Sequence, residues 1–490
     1  MSQLLNERVA EVAGLVDAKK DSLILLSDEI WGLAETRWQE FQSVEAQIAV
    51  LEREGFRVTR NVCGIPTAFS AQWGDSGPVI GFLGEYDALA EMSQMAGALE
   101  PVPACEGERG TGSGHGCGHH LLGAGAILAA IAARDYLAHH NIAGTVRYYG
   151  CPAEEGGAGK TWMAREKVFD DLDAALTWHP GPYSGVFKYK SLAVIQMAFR
   201  FSGIATHAAA SPHLGRSALD AVELMNVGVN FMREHMPSDA RVHYAITDAG
   251  GYAPNVVQAN AEVLYVVRSP QLDDALQLAA RVEQIARAAT LMTDTQVSIE
   301  FDRACSSVLR NGVIERLMMT TLQTLGPPPF DVIDQAFAGE LTQRMTAEDL
   351  RECIESYRGD PHERGLSMRA LPLEDEPGTL TGSSDVGDVS WIVPTTQYLG
   401  ACYAIGTNMH TWQLVAQGKL PAAHKGMVHA AKVMADTAVQ LCIDPAHIGA
   451  AKAELAAHTG GCPYVSPVPP DMQAPPVRTA KHLSSEQEKV

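Results

Sequence analysis

Basic residues are scarce in this 490-residue sequence: 37 Lys and Arg stand against 58 Asp and Glu, a formal charge of −21. So acidic a surface repels nucleic-acid phosphates and anionic membranes, and neither is expected as a partner. An anionic substrate stays open, because one arginine can dominate a pocket. Paired Cys-x-x-Cys knuckles are absent, which speaks against a structural zinc module. The nine cysteines are odd in number and irregular in spacing, as fits a reducing compartment rather than a disulfide framework. No apolar run approaches the length of a membrane span. Met1–Lys20 mixes acids and bases without an apolar segment, so no signal peptide is expected and the chain reads as cytoplasmic and soluble. Internal repeats are absent as well. What remains is an ordinary globular balance, 46% hydrophobic and 19% charged, in a chain long enough for two or three domains.

Against that background Gly114–Gly125 (GHGCGHHLLGAG) stands out. It places His115, Cys117, His119 and His120 within six residues, separated by glycines and followed by a Leu/Ala-rich helix. Glycine lets the backbone come close to a bound ion. Thiolate and imidazole suit Zn²⁺ and its neighbours. A Gly/His surface turn with a buried thiol is the plainer reading of the stretch by itself.

Taken along the chain, apolar periodicity predicts helices through Val9–Ile30 and Val44–Leu51. Phe56–Val62 and Thr67–Trp73 alternate like strands, and Pro78–Gly84 is a continuous apolar run expected of a strand buried on both faces. A helix over Leu121–His139 and strands at Gly144–Gly150 and Ala174–Trp178 follow. Strands alternating with helices predict a doubly wound, mostly parallel α/β sheet. From about Ser191 the order changes to β-α-β-β-α-β, through Leu192–Phe201, Ser217–Glu234, Ala240–Thr247, Ala259–Arg268, Leu272–Thr290 and Thr295–Phe301. That order predicts a ferredoxin-like α+β domain inserted into the first. The expected division is 1–190 and 307–462 for the first domain, 191–306 for the insert, and 463–490 for a Pro-rich tail on the surface or disordered. Ile314–Leu325 and Met427–Leu441 read as helices, while 326–380 resists assignment.

Ligands in open α/β sheets gather at the carboxyl ends of strands. Three such ends carry suggestive residues: Glu85-Tyr-Asp87, Pro152-Ala-Glu154-Glu155-Gly-Gly and Trp178-His179-Pro180. Of two adjacent carboxylates in a turn, one can bind metal while the other moves a proton for water. His410 and His424 add two imidazoles late in the chain, with Asp385 and Asp388 on a turn between the strands and these.

These segments, with Gly203-Ile-Ala-Thr-His207-Ala, Asn255-Val-Val-Gln and Met409-His410-Thr, resemble the ordered motifs of the aminoacylase/glutamate-carboxypeptidase metallopeptidase family. The branch suggested is the amidohydrolases of hippurate and auxin conjugates. The resemblance runs from the N-terminal helices to about residue 462. It implies a di-metal catalytic domain, with Zn or Mn, and an inserted lid used for dimerisation. It implies Cys117, His119, Glu155, His179 and His410 as ligands and Glu154 as general base. Asp87 would orient a ligand or line the site. It further implies that His207 polarises the substrate carbonyl in a neighbouring subunit's site, and that Asn255 and Arg268 grip the substrate, Arg268 through a carboxylate. The implied substrate is a small N-acyl or N-aroyl amino acid, such as p-aminobenzoyl-glutamate or an indoleacetyl conjugate. A homodimer or a heterodimer with a related subunit is implied, and the competing reading is a non-catalytic or regulatory subunit of a two-subunit hydrolase. Two departures stand out: Glu85 where many relatives have Asp, and His120 where Asp or Asn is usual. His120 could add a ligand or alter the hydrogen bonds around one. His424 rivals His410 as the last ligand.

Overall fold

The computed structural model describes residues 2–104, 112–187, 189–373, 378–379 and 382–473. The chain divides into two compact units. Among the described residues, the larger comprises those within Met1–Tyr189, Leu309–Gly378 and Asp388–Val465, and the smaller those within Lys190–Val308, Thr379–Gly387 and Ser466–Val490.

The larger unit begins with two helices, α1 (Ser2–Leu33) and α2 (Phe41–Arg53). Its seven-stranded sheet contains β1 (Arg57–Arg60), β2 (Phe69–Trp73), β3 (Val79–Gly84), β4 (Thr145–Gly150), β5 (Ala174–Gly181) and β6 (Gly185–Val186), together with Thr395–Ala401 late in the chain. The order is β1-β2-β4-β3-β5, then Thr395–Ala401, then β6. The centre is parallel: β3 pairs with β4 and β5, and β5 with Thr395–Ala401. The edges are antiparallel, β1 with β2, β2 with β4, and Thr395–Ala401 with β6. After β3 the chain passes through α3 (His119–His139) to β4 on one side, then through α4 (Gly159–Arg165) to β5 on the other. A reversal of this kind opens a crevice at the carboxyl ends of the strands. β3 is buried along nearly its whole length, as its unbroken apolar sequence predicts.

α3 is apolar around its circumference, and such a helix must be buried or lie in a membrane. It has the length and composition of a span, contrary to the expectation that no segment would, and 89% of its most apolar window is buried inside the fold. It packs under the sheet, where Trp178 Nε1 donates to the Leu122 carbonyl at 2.9 Å. The stretch 326–380, which its Pro, Gly and charges left unassigned, contains two capped helices, Val332–Thr342 and Ala347–Tyr357. Both begin in capping boxes, at Asp331 and Thr346. The long helix Pro421–Ile443 closes the unit against α1 and α3. The expected Pro-rich tail is packed at its start: Tyr464 donates to Asp388 and Val468 is buried. Its remainder, 474–490, lies outside the described residues.

Within this core, His429 is neutral by construction. Its Nε2 donates to the Gly326 carbonyl at 2.8 Å and its Nδ1 accepts from Tyr398 Oη at 3.0 Å. Burial pushes its pKa down to about 4 from 6.5. Between those values the unfolded chain takes up a proton that the folded chain refuses, so stability is full above the unfolded pKa and falls as pH drops toward 4. The effect of this one group reaches about 3 kcal/mol at most. Urea unfolding at pH 7 and pH 5 is expected to show a steeper loss in the wild type than in His429→Gln; equal losses would remove His429 as a cause.

The smaller unit is a four-stranded antiparallel sheet with two helices on one face. β7 (Tyr189–Lys190) precedes it. Its strands are β8 (Ala193–Ser202), β9 (Arg241–Asp248), β10 (Asn260–Ser269) and β11 (Gln296–Cys305), in the order β11-β8-β10-β9, with helices α5 (Ala218–Met232) and α6 (Leu272–Thr293). This is the ferredoxin-like arrangement. Its core follows strand alternation: Ala261, Val263, Tyr265 and Val267 of β10 face the helices. Thr379–Gly387 joins the unit through the Leu192 amide, which donates to the Gly382 carbonyl, and through Arg268 Nη1, which donates to Ser383 Oγ at 2.6 Å.

Candidate metal centre

Each strand end in the parallel centre delivers part of one cluster. Glu85 and Asp87 follow β3; Glu154 and Glu155 follow β4; His179 lies near the end of β5, in register with Leu399. Cys117 sits in the turn before α3, and His119 is the first residue of that helix. Gly118 between them has φ 82°, and a Cβ there would stand 2.4 Å from Tyr403 Oη. Only glycine permits the turn that aims both donors the same way. His410 follows Thr395–Ala401 with φ 58°, held by its amide, which donates to the Gly116 carbonyl at 2.8 Å.

Donor atoms of Cys117, His119 and His179 lie within 4.8 Å of one another, and so do those of Cys117, Glu155 and His410. Cys117 is common to both sets. Its Sγ is 3.4 Å from His179 Nε2, and His410 Nε2 is 3.2 Å from Glu155 Oε1. A third set, Glu85, His119 and Glu154, meets the same criterion.

The residues behind the donors fix their orientation. His119 Nδ1 donates to Asp87 Oδ1 at 2.9 Å, which turns Nε2 toward the cluster. That buried Nε2 makes no hydrogen bond of good geometry, although Glu85 Oε2 stands 3.2 Å away. His179 Nδ1 sits 2.9 Å from the Pro180 carbonyl, which likewise presents Nε2. Carboxylate and carbonyl partners behind an imidazole are the usual support of a metal-binding histidine. The chemistry of the donors, two imidazoles and a carboxylate around a shared thiol with a third imidazole at the rim, fits divalent transition ions.

The donors also shift one another's protonation. Burial pushes the Cys117 thiol up, but the imidazoles of His179 and His119 outweigh it and hold it well below the ordinary thiol range. Burial likewise opposes charge on His119, and the Asp87 carboxylate outweighs it. Glu155 is raised to about 6, by burial first and then by Cys117. His410 is lifted to about 10 by its hydrogen bond to Cys117 and then by Glu155.

Several sequence candidates fall elsewhere. His424 Nε2 lies 2.9 Å from Asp28 Oδ1, so His410, not His424, stands beside Cys117 and Glu155. His120 Nε2 meets the Gly418 carbonyl at 3.0 Å, and His115 Nε2 meets that of Ile30 at 3.0 Å. Neither joins a donor set among the described residues. Asp388 accepts from Thr161 at 2.6 Å and from Tyr464, and so braces the fold. His207, Asn255 and Arg268 belong to the smaller unit. His207 is exposed, and its Nδ1 accepts the amides of Ala209 and Ala210 at 3.2 and 3.1 Å. Asn255 is exposed and Arg268 half-buried. Sequence reasoning missed Lys160, wholly buried with Nζ 2.6 Å from Glu85 Oε1. A lysine that follows a run of glycines, as Lys160 does at the start of α4, carries no signal of burial in the sequence. It missed Glu40 too, an acid isolated in the α1–α2 connection.

A mostly parallel α/β sheet carries at its strand ends a thiol–imidazole–carboxylate cluster that could hold divalent ions, and the similarity to known proteins gives the class, a hydrolase of amide bonds. The chain belongs to Peptidase family M20/M25/M40, whose sequence model matches residues 81–340. It is 47% identical over 474 residues to the B subunit of p-aminobenzoyl-glutamate hydrolase from Escherichia coli strain K12, covering 94% of this chain and 98% of that one. It is 27% identical to the Xaa-Arg dipeptidase of Mus musculus, over 92% of each chain. Among solved structures, a dinuclear metal-binding peptidase of the M20 family from Bacillus subtilis shares the fold. Its TM-score is 0.55 at 16% identity, with 87% of this chain and 99% of that one covered.

Proposed function

We propose that this enzyme hydrolyses the amide of an N-acyl or N-aroyl amino acid, with p-aminobenzoyl-glutamate as the first substrate to test. The observation that carries the reading is the pair of donor sets sharing Cys117, with Glu154 alongside them. The substrate follows the name of the relative that is 47% identical. Cys117, His119 and His179 form one ligand group and Cys117, Glu155 and His410 the other. Two divalent ions, Zn or Mn, would be held there and would supply Lewis acidity and a water acidified toward neutral pH. Glu154 takes the proton of the attacking water and passes it to the leaving amine. Asp87 holds His119 in the tautomer that leaves Nε2 for the ion.

In the smaller unit, the amides that occupy His207 Nδ1 leave its Nε2–H as a donor, suited to polarising a carbonyl. Asn255 and Arg268 are the residues proposed to hold the substrate, Arg268 through a carboxylate. We assign the insert, residues 191–306, which makes up most of this unit, as a lid and dimerisation domain between catalytic segments 1–190 and 307–462, although Thr379–Gly387 groups with the smaller unit. Its edge strand β9 exposes Tyr244 and Ile246, and α5 exposes Val227 and Phe231. An unpaired edge beside an apolar helix face is a template for a second copy or a related subunit. The E. coli relative is named as one subunit of its hydrolase, which favours considering the related subunit.

The test is direct. Purified chain loaded with Mn²⁺ or Zn²⁺ is expected to release the amino acid from p-aminobenzoyl-glutamate or another member of an acyl- and aroyl-amino-acid panel. Activity that appears only after a related subunit is added would favour the regulatory reading.

A further inference from the structure

The α1–α2 connection, residues 34–40, reaches the two loops that carry the acids of the centre. The Glu35 carbonyl accepts the Ala88 amide at 2.8 Å, and Thr36 bridges Ala88, just beyond Asp87. Glu40 Oε1 accepts the Ala153 amide at 2.8 Å, just before Glu154. Arg37 Nη1 donates to the Gly156 carbonyl, just after Glu155. Trp38 lies against Gly157, where a Cβ would stand 2.4 Å from its ring. The connection is itself fixed: Glu35 Oε2 accepts the Ser43 amide and hydroxyl, each at 2.8 Å, and Ala34 and Trp38 hold φ of 41° and 65°.

Between the two grips Ala153 has φ 58°. A non-glycine residue in this region costs about 1–2 kcal/mol and persists only where its surroundings over-determine it. The two acids that follow this left-handed residue meet different partners. The Glu155 amide donates to Asp87 Oδ2 at 2.9 Å, while the Glu154 carboxylate approaches Glu85 and His119.

We propose that Glu40, with Arg37, is a positioning residue that holds the Ala153–Gly156 loop in its strained turn and so sets the Glu154 carboxylate for proton transfer. This rests on the role proposed above for Glu154. Glu40 acts as a neutral acceptor: burial, and then the charge of Asp87, raises its carboxyl to about 8. Glutamine is therefore its functional mimic, and leucine removes the grip.

In the full-length, Mn²⁺-loaded enzyme, Glu40→Leu is expected to lower kcat by ~10–100-fold, the scale of an ångström-sized misplacement of a reacting group. KM and metal content stay at the wild-type level, and Glu40→Gln stays near wild type in all three. In an Ala153→Gly background, where the left-handed turn costs nothing, Glu40→Leu is expected to cost less. Amide exchange in the peptide spanning Ala153–Gly157 rises in Glu40→Leu and not in Glu40→Gln, a readout that needs no substrate. Unchanged kcat and exchange in Glu40→Leu would overturn the proposal. So would equal damage from Gln and Leu, or metal loss accompanying the kcat loss. If Glu40→Leu does not fold, Arg37→Met, at a half-buried side chain, takes its place in the same measurements, with the same outcomes for and against. A wild type that cleaves no panel member defeats the functional reading alone, since loop exchange still decides the grip.

Discussion

Glu154→Ala is expected to keep its metal and its substrate affinity while turnover falls by ~10²–10⁴-fold or more, the range for a positioned proton-transfer group. Glu155→Ala is expected to lose metal. The prediction comes from geometry that the adjacent positions conceal. Glu155 stands 3.2 Å from His410 in the set that includes Cys117, and its amide is tied to Asp87. Glu154 is in neither Cys117 set, and its carboxylate approaches Glu85 and His119 instead. Metal analysis beside steady-state kinetics of both variants decides the matter. Equal metal loss in the two would mean that Glu154 is a ligand and that the proton is carried by another group.

Cys117→Ser is expected to disturb both halves of the centre at once, because both donor sets share Sγ. The thiolate is the softest of the candidate donors, and a serine hydroxyl stays protonated at pH 7 and would bind divalent transition ions poorly. His179→Ala, which touches only one set, should leave the other set's metal in place. Stoichiometry measured on the purified variants is expected to fall furthest in Cys117→Ser, with activity falling in step and the fold retained by circular dichroism. Full stoichiometry and rate in Cys117→Ser would refute the shared-thiol arrangement.

The element order of this protein is legible in its sequence because burial imposes periods on it. The buried strand β3 reads as an unbroken apolar run, and β8 and β10 alternate because one face meets α5 and α6. Boundaries shifted by a few residues, and the two capped helices within 326–380 escaped, since their exposed faces are charged and only Cys353 of the second is buried. Cys117, His119, Glu154, Glu155 and His179 were visible because glycines and strand ends frame them.

The sequence by itself determined the chemical classes available: a thiol, imidazoles and paired acids at the ends of parallel strands, in an acidic chain. Tertiary structure alone decided which of these meet. His410 and His424 are indistinguishable by spacing, yet one reaches Glu155 and the other pairs with Asp28. His120, next to a donor in sequence, points to Gly418 because helical residues one apart face different ways. Glu40 and Lys160 gained their places through contacts 113 and 75 residues away in sequence, to Ala153 and Glu85. No local pattern encodes such contacts, because burial and partners belong to the folded chain and not to the residue.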